Sequence, residues 1–524
     1  MRRATVLFVS TVCTATWACT SASSSVGAPP GNNAVTDGAL ANRGDPPALA
    51  AIREDDISRD MHALAGDQFR GREGGTLDEL RASGWLADRM REAGLEPAGE
   101  DGTFYQWIPM RRLRQSDNGR LTIGGSSLAM FTDAVTVTPT DISVDAPLVF
   151  IDATASVDPS AVRGNAVATA LVASAANQPP VPAGGRARPF SGANAVRQAA
   201  AKFLEMGAVA VVVASDSAAD AGFTRAGDAM ARGRYGVDTA NATAYWPDAT
   251  SGPRRPPAPP IIWVRQRFTT LLHTPGQRLT AHLPTENFHY PSVNLVGRVR
   301  GTDPSLRDEY VLYSAHQDHD GVRTAIDGDS IWNGADDNAT GSVAILAVAR
   351  ALAKQPGRRS ALFVWHGSEE RGLIGSRYHV MHPMAPKSQI VAVLNGEMIG
   401  RNSPDTMTLL GSIPPHRNST ALVDMAKRAN DQVARFKLDT LWDMPTHPQG
   451  WYFRSDHLPY ARAGIPAIAF TSTLHADYHT PLDDPSRIDY KKLTRVTRWM
   501  YATGWLVANA DQRPRVDPGF KLER

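Results

Sequence analysis

Cysteine is almost absent from this 524-residue chain, which has only Cys13 and Cys19, both near the amino terminus. If that segment is cleaved, no disulfide remains, and stability must come from packing or from metal. A charge imbalance is also missing. The formal net charge is +2, and no Lys/Arg block marks a nucleic-acid face. Beyond the apolar stretch from Ala4 to Ala18 there is no long hydrophobic run, and that stretch is too short for a mature membrane anchor. No internal repeat is visible.

The amino terminus carries an address. Arg2 and Arg3, the apolar run and then small residues make residues 1–22 a secretory signal, so the protein is expected to be exported, periplasmic or extracellular. Ala18-Cys19 before a Ser-rich stretch leaves two alternatives, ordinary cleavage or a lipid anchor at Cys19. Residues 23–47, rich in Ser, Gly, Pro and Asn, are expected to form a flexible linker.

With 42% hydrophobic and 21% charged residues the rest is globular, and its length calls for two or more domains. Helical periodicity covers residues 55–64 and 76–93, then short alternating strands follow from Leu121 to Ile151. A helix at 194–206 and a strand at 208–214 lie between Pro-rich loops at 177–189 and 253–260, and a further strand at 260–264 follows the second loop. From Tyr310 onward strands and helices alternate, ending in a helix at about 490–508. That alternation predicts an α/β fold, a mostly parallel mixed sheet with helices on both faces, plus an inserted β-rich domain. The expected boundaries are 48–135 and 286–510 for the main domain, 136–285 for the insert, and a loose polar tail at 511–524.

Polar clusters stand at the ends of apolar runs, where open α/β sheets present functional side chains. They read Ser-Ala-His-Gln-Asp-His (314–319), Asn-Gly-Ala-Asp-Asp-Asn-Ala-Thr-Gly (333–341), Ser-Glu-Glu-Arg-Gly (368–372) and Asn-Gly-Glu-Met-Ile-Gly-Arg (395–401). Without cysteine, zinc takes His nitrogen and carboxylate oxygen. His316 is a candidate ligand, with Asp318 placed to hold its tautomer. Asp336 and Asp337 precede a helix start, where a carboxylate could bridge two metals or could simply cap the helix. Glu369 and Glu370 are adjacent, so one could bind metal while the other acts as general base, although a solvated acidic helix start is the plainer alternative. Glu397 ends an apolar strand and needs a cationic partner. His479, in Tyr-His-Thr-Pro-Leu-Asp, offers a ligand from a distant part of the chain.

In this order, with Tyr452 ahead of Ser455-Asp-His, these motifs resemble the clan MH family of co-catalytic dizinc exopeptidases, which includes secreted bacterial aminopeptidases and glutamate carboxypeptidases. The resemblance covers about residues 286–510, and more weakly 51–135; the insert resembles a protease-associated (PA) domain. It implies two zinc ions, with cobalt or manganese as alternatives. Asp336 is implied as the bridging ligand, with a cis peptide between the two aspartates. His316 and Glu397 would complete one ion, and Glu370 and His479 the other. Glu369 is implied as general base, Asp318 as the outer partner of His316, and Tyr452 as an aid to the oxyanion. The family most often has Asp where this chain has Glu397, which leaves the metal preference open. The implied activity is an exported aminopeptidase acting on peptides. A carboxypeptidase or dipeptidase on the same scaffold is the alternative, and a catalytically dead binding protein the rival from another class.

Overall fold

The computed structural model describes residues 46–174, 192–238 and 258–523. The signal segment, Cys13, Cys19, nearly all of the linker and most of the two Pro-rich loops lie outside the described residues. Among the described residues no helix is long and apolar enough to cross a membrane.

The first sheet has ten strands. At its centre Tyr310–His316 runs parallel to Ser360–His366 and to Ile390–Gly396, which in turn runs parallel to Ala467–Thr471. These segments are buried on both faces, so they read as unbroken apolar runs rather than as alternating ones. Alternate side chains serve opposite layers. Leu312, Leu362, Val364 and Val393 pack with Val380 of helix Ile374–Met381 and Tyr460 of helix His457–Arg462. On the other face Tyr313 stacks on Phe363 at 5.1 Å, and Trp365 donates to the carbonyl of Ser342 in helix Gly341–Lys354. Helix Tyr490–Asn509 lies beside that helix and approaches so closely at Gly504 that a Cβ there would sit 1.7 Å from the Tyr313 hydroxyl.

On one side the sheet continues antiparallel through the long strand Thr285–Val299, then Tyr105–Gln115 and Arg234–Val237. Tyr105–Gln115 was not expected from the sequence, because arginines and Pro109 dilute its alternation of buried Gln106, Ile108 and Met110. The hairpin Gly321–Ile326/Asp329–Trp332, turning at Asp327-Gly328, was also unforeseen.

A second sheet of eight strands takes up the middle of the chain. Its strands begin at Arg120 rather than at 136. Strand Ala210–Ala214 is wholly buried inside it, and helices Ala193–Glu205 and Ser217–Arg232 cover one face through Phe203 and Phe223. The tail is not loose. The Asp517 carboxylate accepts from the Thr420 N–H (3.0 Å) and hydroxyl (2.6 Å), and Glu523 lies 2.7 Å from His416.

Candidate metal centre

His316 ends its strand completely buried, and its Nδ1 lies 3.0 Å from the backbone carbonyl of Asp318. A carbonyl accepts only, so Nδ1 carries the proton and Nε2 is left as the free ligand atom. That Nε2 is 3.2 Å from Asp337 Oδ1, 3.5 Å from Glu397 Oε1 and 3.9 Å from Glu369 Oε2. The other Asp337 oxygen, Oδ2, is 3.0 Å from His479 Nε2 and 4.0 Å from His319 Nδ1. Glu370 Oε1 lies 3.3 Å from His479 Nε2 and 2.9 Å from His319 Nδ1. Two groups with metal-ligand spacing result: His319, Asp337, Glu370 and His479, and then His316, Asp337 and Glu397.

The shared residue is Asp337. Asp336, expected to bridge, is turned elsewhere: its Oδ1 accepts from the Gly400 N–H at 2.7 Å and the Thr340 hydroxyl at 3.3 Å, and its Oδ2 faces His475 at 3.3 Å. The cis peptide is likewise one bond later than expected, between Asp337 and Asn338. Neighbouring residues leave the chain in different directions, and two long-range clamps select which one faces the site. The Asp483 carboxylate accepts the N–H groups of Asp336 (2.9 Å) and Asp337 (3.0 Å). The Asp318 carboxylate does the same for Glu369 (2.9 Å) and Glu370 (3.3 Å). Asp318 therefore serves His316 through its carbonyl and the acidic pair through its side chain.

Buried Arg72 holds the surrounding loops. Its guanidinium donates to the carbonyls of Leu64, Gln317, Asn333 and Gly334 at 2.7–2.9 Å. Burial pulls its pKa down to about 10, so it stays charged at neutral pH, facing Asp318, Asp483 and Asp337. Asp320, also unassigned from the sequence, takes His479 Nδ1 at 3.1 Å and is itself held by Arg323 (3.0 Å) and Arg371 (3.3 Å). Glu397 accepts from the Ser455 hydroxyl at 2.6 Å, and burial raises its pKa against the pull of His316. Burial also raises Glu369 well above the usual carboxylate range. Burial would raise Glu370 as well, but His479 and His319 outweigh it and hold the group at about 2.

Tyr452 is not part of either ligand group. It is fully buried with its ring 4.1 Å from His416, and the charges acting on it are Asp443, Glu523 and Arg462. The tyrosine beside the cluster is Tyr478, whose ring is 3.9 Å from that of His479 and whose hydroxyl accepts from Arg454 at 2.9 Å.

The donor set suits zinc. His316 Nε2, both His319 nitrogens and Glu370 Oε1 are buried without a hydrogen-bond partner. Such atoms are costly unless a ligand satisfies them. His319 Nδ1 and Glu370 Oε1 are close but lack hydrogen-bond alignment, as donors converging on a third point do. The spacings of 2.9–4.0 Å bracket the edge of roughly 3.4 Å in a tetrahedron with ~2.1 Å bonds. Beside Glu370 opens a cavity of about 730 Å³ lined by Arg111, Arg232, Tyr235, Asp320 and Arg371 among others.

The sequence model of Peptidase family M28 matches residues 294–504. The chain carries an M28 peptidase domain. Leupeptin-inactivating enzyme 1 of Streptomyces exfoliatus is 36% identical over 156 residues, 29% of this chain and 32% of that protein. Aminopeptidase YwaD of Bacillus subtilis is 25% identical over 189 residues, 35% of this chain and 39% of that protein. The chain thus spans about a third of the length of each. In three dimensions the M28 domain and its companion sheet resemble an aminopeptidase from Aneurinibacillus sp. strain AM-1 (TM-score 0.54, 16% identity, 90% of this chain and 97% of that one). They also resemble a zinc aminopeptidase from Bacillus subtilis (TM-score 0.54, 16% identity, 90% and 99%). At these identities the likeness shows the fold.

Proposed function

We propose that the protein is an exported zinc-dependent exopeptidase, an aminopeptidase that holds two ions on one M28 domain, with the eight-stranded unit as an inserted PA-like module. The observation that carries the proposal is Asp337, which presents one carboxylate oxygen to each of two ligand groups. In this reading His316, Asp337 and Glu397 hold one ion, and Asp337, Glu370 and His479 the other. Zinc bound there would lower the pKa of a water toward ~7 and polarise a carbonyl. Glu369, 3.9 Å from His316 Nε2, takes the proton of the attacking water and hands it to the leaving amine. Its raised pKa suits that exchange, since an acid with too little proton affinity could not accept. Asp318 positions Glu369 through its N–H, and Tyr452 has no part in the reaction.

A second reading, a carboxypeptidase or dipeptidase, is favoured by the arginines around the cavity, because a guanidinium there would meet a free carboxylate. The test is hydrolysis of peptides with each terminus free or blocked, in wild type and Glu369→Gln. The aminopeptidase reading expects that blocking the amino terminus abolishes turnover. It also expects Glu369→Gln to lose about 10²–10⁴-fold in rate with zinc content unchanged. Cleavage that requires a free carboxy terminus would favour the second reading, and full activity in Glu369→Gln would refute the proton role.

A further inference from the structure

The resemblance implied only three protein donors at each ion, with Asp336 shared, and the structure puts Asp337 in that shared place. His319 adds a fourth at one of them, and the surroundings are arranged to admit it. Its ring is completely buried and meets the His479 ring edge-on at 5.2 Å, so two imidazoles approach Asp337 and Glu370 from different directions. Gly334 makes the room: a Cβ there, where φ is +58°, would lie 2.2 Å from His319 Cγ. Arg72 ties the two loops together by bonding the carbonyls of both Gln317 and Gly334, while its own carbonyl accepts the His319 N–H at 3.3 Å.

We infer that His319 is a metal ligand and that it makes the two positions unequal. The His319–Asp337–Glu370–His479 position is closed by four protein side chains, and the His316–Asp337–Glu397 position, with three, keeps an open place. Zinc sites with four protein donors are structural and closed, whereas catalytic sites have three and accept water or substrate. The ion at the closed position is bound first and more tightly, and the substrate meets the open one. Glu369 lies on that side, near His316. This inference rests on the two-ion reading proposed above and adds an order of loading to it.

The competing account is that His319 only orients Glu370 as an outer partner, whose loss typically lowers metal affinity about 10–100-fold. The full chain is stripped with a chelator and reloaded with zinc in graded buffers, with bound zinc counted by mass spectrometry; the first equivalent is then replaced by Co²⁺ and its visible absorption recorded. The expected result for wild type is two steps separated by about 100-fold or more. His319→Gln keeps an amide donor for Glu370 but supplies a poor zinc ligand. It should weaken the first step beyond about 100-fold, merge it with the second and reduce the cobalt absorption. Imidazole added to His319→Ala should restore the first step.

Two ions leaving wild type at one midpoint would overturn the His319 assignment and leave the proposed function standing. So would His319→Gln holding its first ion within about 100-fold and with an unchanged cobalt spectrum. A wild type that binds a single ion, lost in His319→Gln, would support His319 as a ligand and overturn the two-ion reading instead.

Discussion

The assignment of Asp337 over Asp336 can be tested by making the same small change at adjacent positions. Asp337→Asn keeps one carboxylate-like oxygen and turns the other into an NH2 donor, so the residue can face His316 or His479 as a ligand but not both. Structural zinc binds with about 10–16 kcal/mol over four donors, or roughly 3 kcal/mol each, which is about two orders of magnitude in affinity. At least one ion should therefore weaken about 100-fold. The other should weaken less, from the lost negative charge. Asp336→Asn keeps an oxygen for the Gly400 N–H and the Thr340 hydroxyl and gives up only its contact with His475. Its cost should be about 1–2 kcal/mol of folding stability, with both ions retained. Zinc counted after equilibration against graded chelator, together with urea unfolding, separates these outcomes. Loss of an ion in Asp336→Asn alongside full retention in Asp337→Asn would refute the geometry.

Three further consequences concern the frame around the site. Arg72→Met removes the donors of four buried carbonyls and should cost about 3 kcal/mol or more in urea unfolding, with metal affinity falling as well; a neutral outcome would mean the loops stand without it. Gly504→Ala should destabilise by about 1–3 kcal/mol through overpacking. Adding Tyr313→Phe should recover only part, because Cζ would still lie 2.4 Å from the new methyl, and strict additivity in thermal unfolding would deny the contact. His457 is buried, and burial chiefly, with His416 adding, pushes its pKa down to about 3. The unfolded chain takes a proton below about 6.5 and the folded chain does not, so this contribution is complete above that pH and is lost as pH falls toward 3. At pH 5 the loss is about 2 kcal/mol, and His457→Gln should flatten the pH dependence of urea unfolding by that amount. An unchanged slope would show that His457 titrates normally.

Much of the site was legible because residue type and strand ends carry it. His316 and Glu397 close or follow apolar runs that can only be central strands, and the helix after Thr340 announces itself by its periodicity. The parallel core followed from the same runs. Tyr105–Gln115 escaped because a strand with arginines on its outward face alternates weakly. The hairpin at Asp327-Gly328 was available in the sequence, since that dipeptide between alternating residues is a strong turn signal. His319 was visible but had no warrant, because its place depends on the missing side chain of Gly334 and on Arg72, both remote in sequence.

The acidic doublets mark a different kind of limit. On the two-ion reading one carboxylate of each doublet belongs to the metals, and nothing local in the sequence says which. Asp483 holds the two N–H groups of one doublet from 146–147 residues away, and Asp318 those of the other from 51–52 away. Each clamp is a buried carboxylate whose pKa burial raises, to about 6 for Asp318, and whose acceptance of two backbone donors opposes that rise. Keeping these carboxylates beside an already acidic cluster is costly unless they do something a neutral group cannot. A carboxylate can accept two consecutive N–H groups at once, which fixes the rotation of the chain between them and so the direction of both side chains. On the two-ion reading proposed above, Asp483 and Asp318, which belong to neither ligand group, therefore decide which carboxylate of each doublet faces the ions.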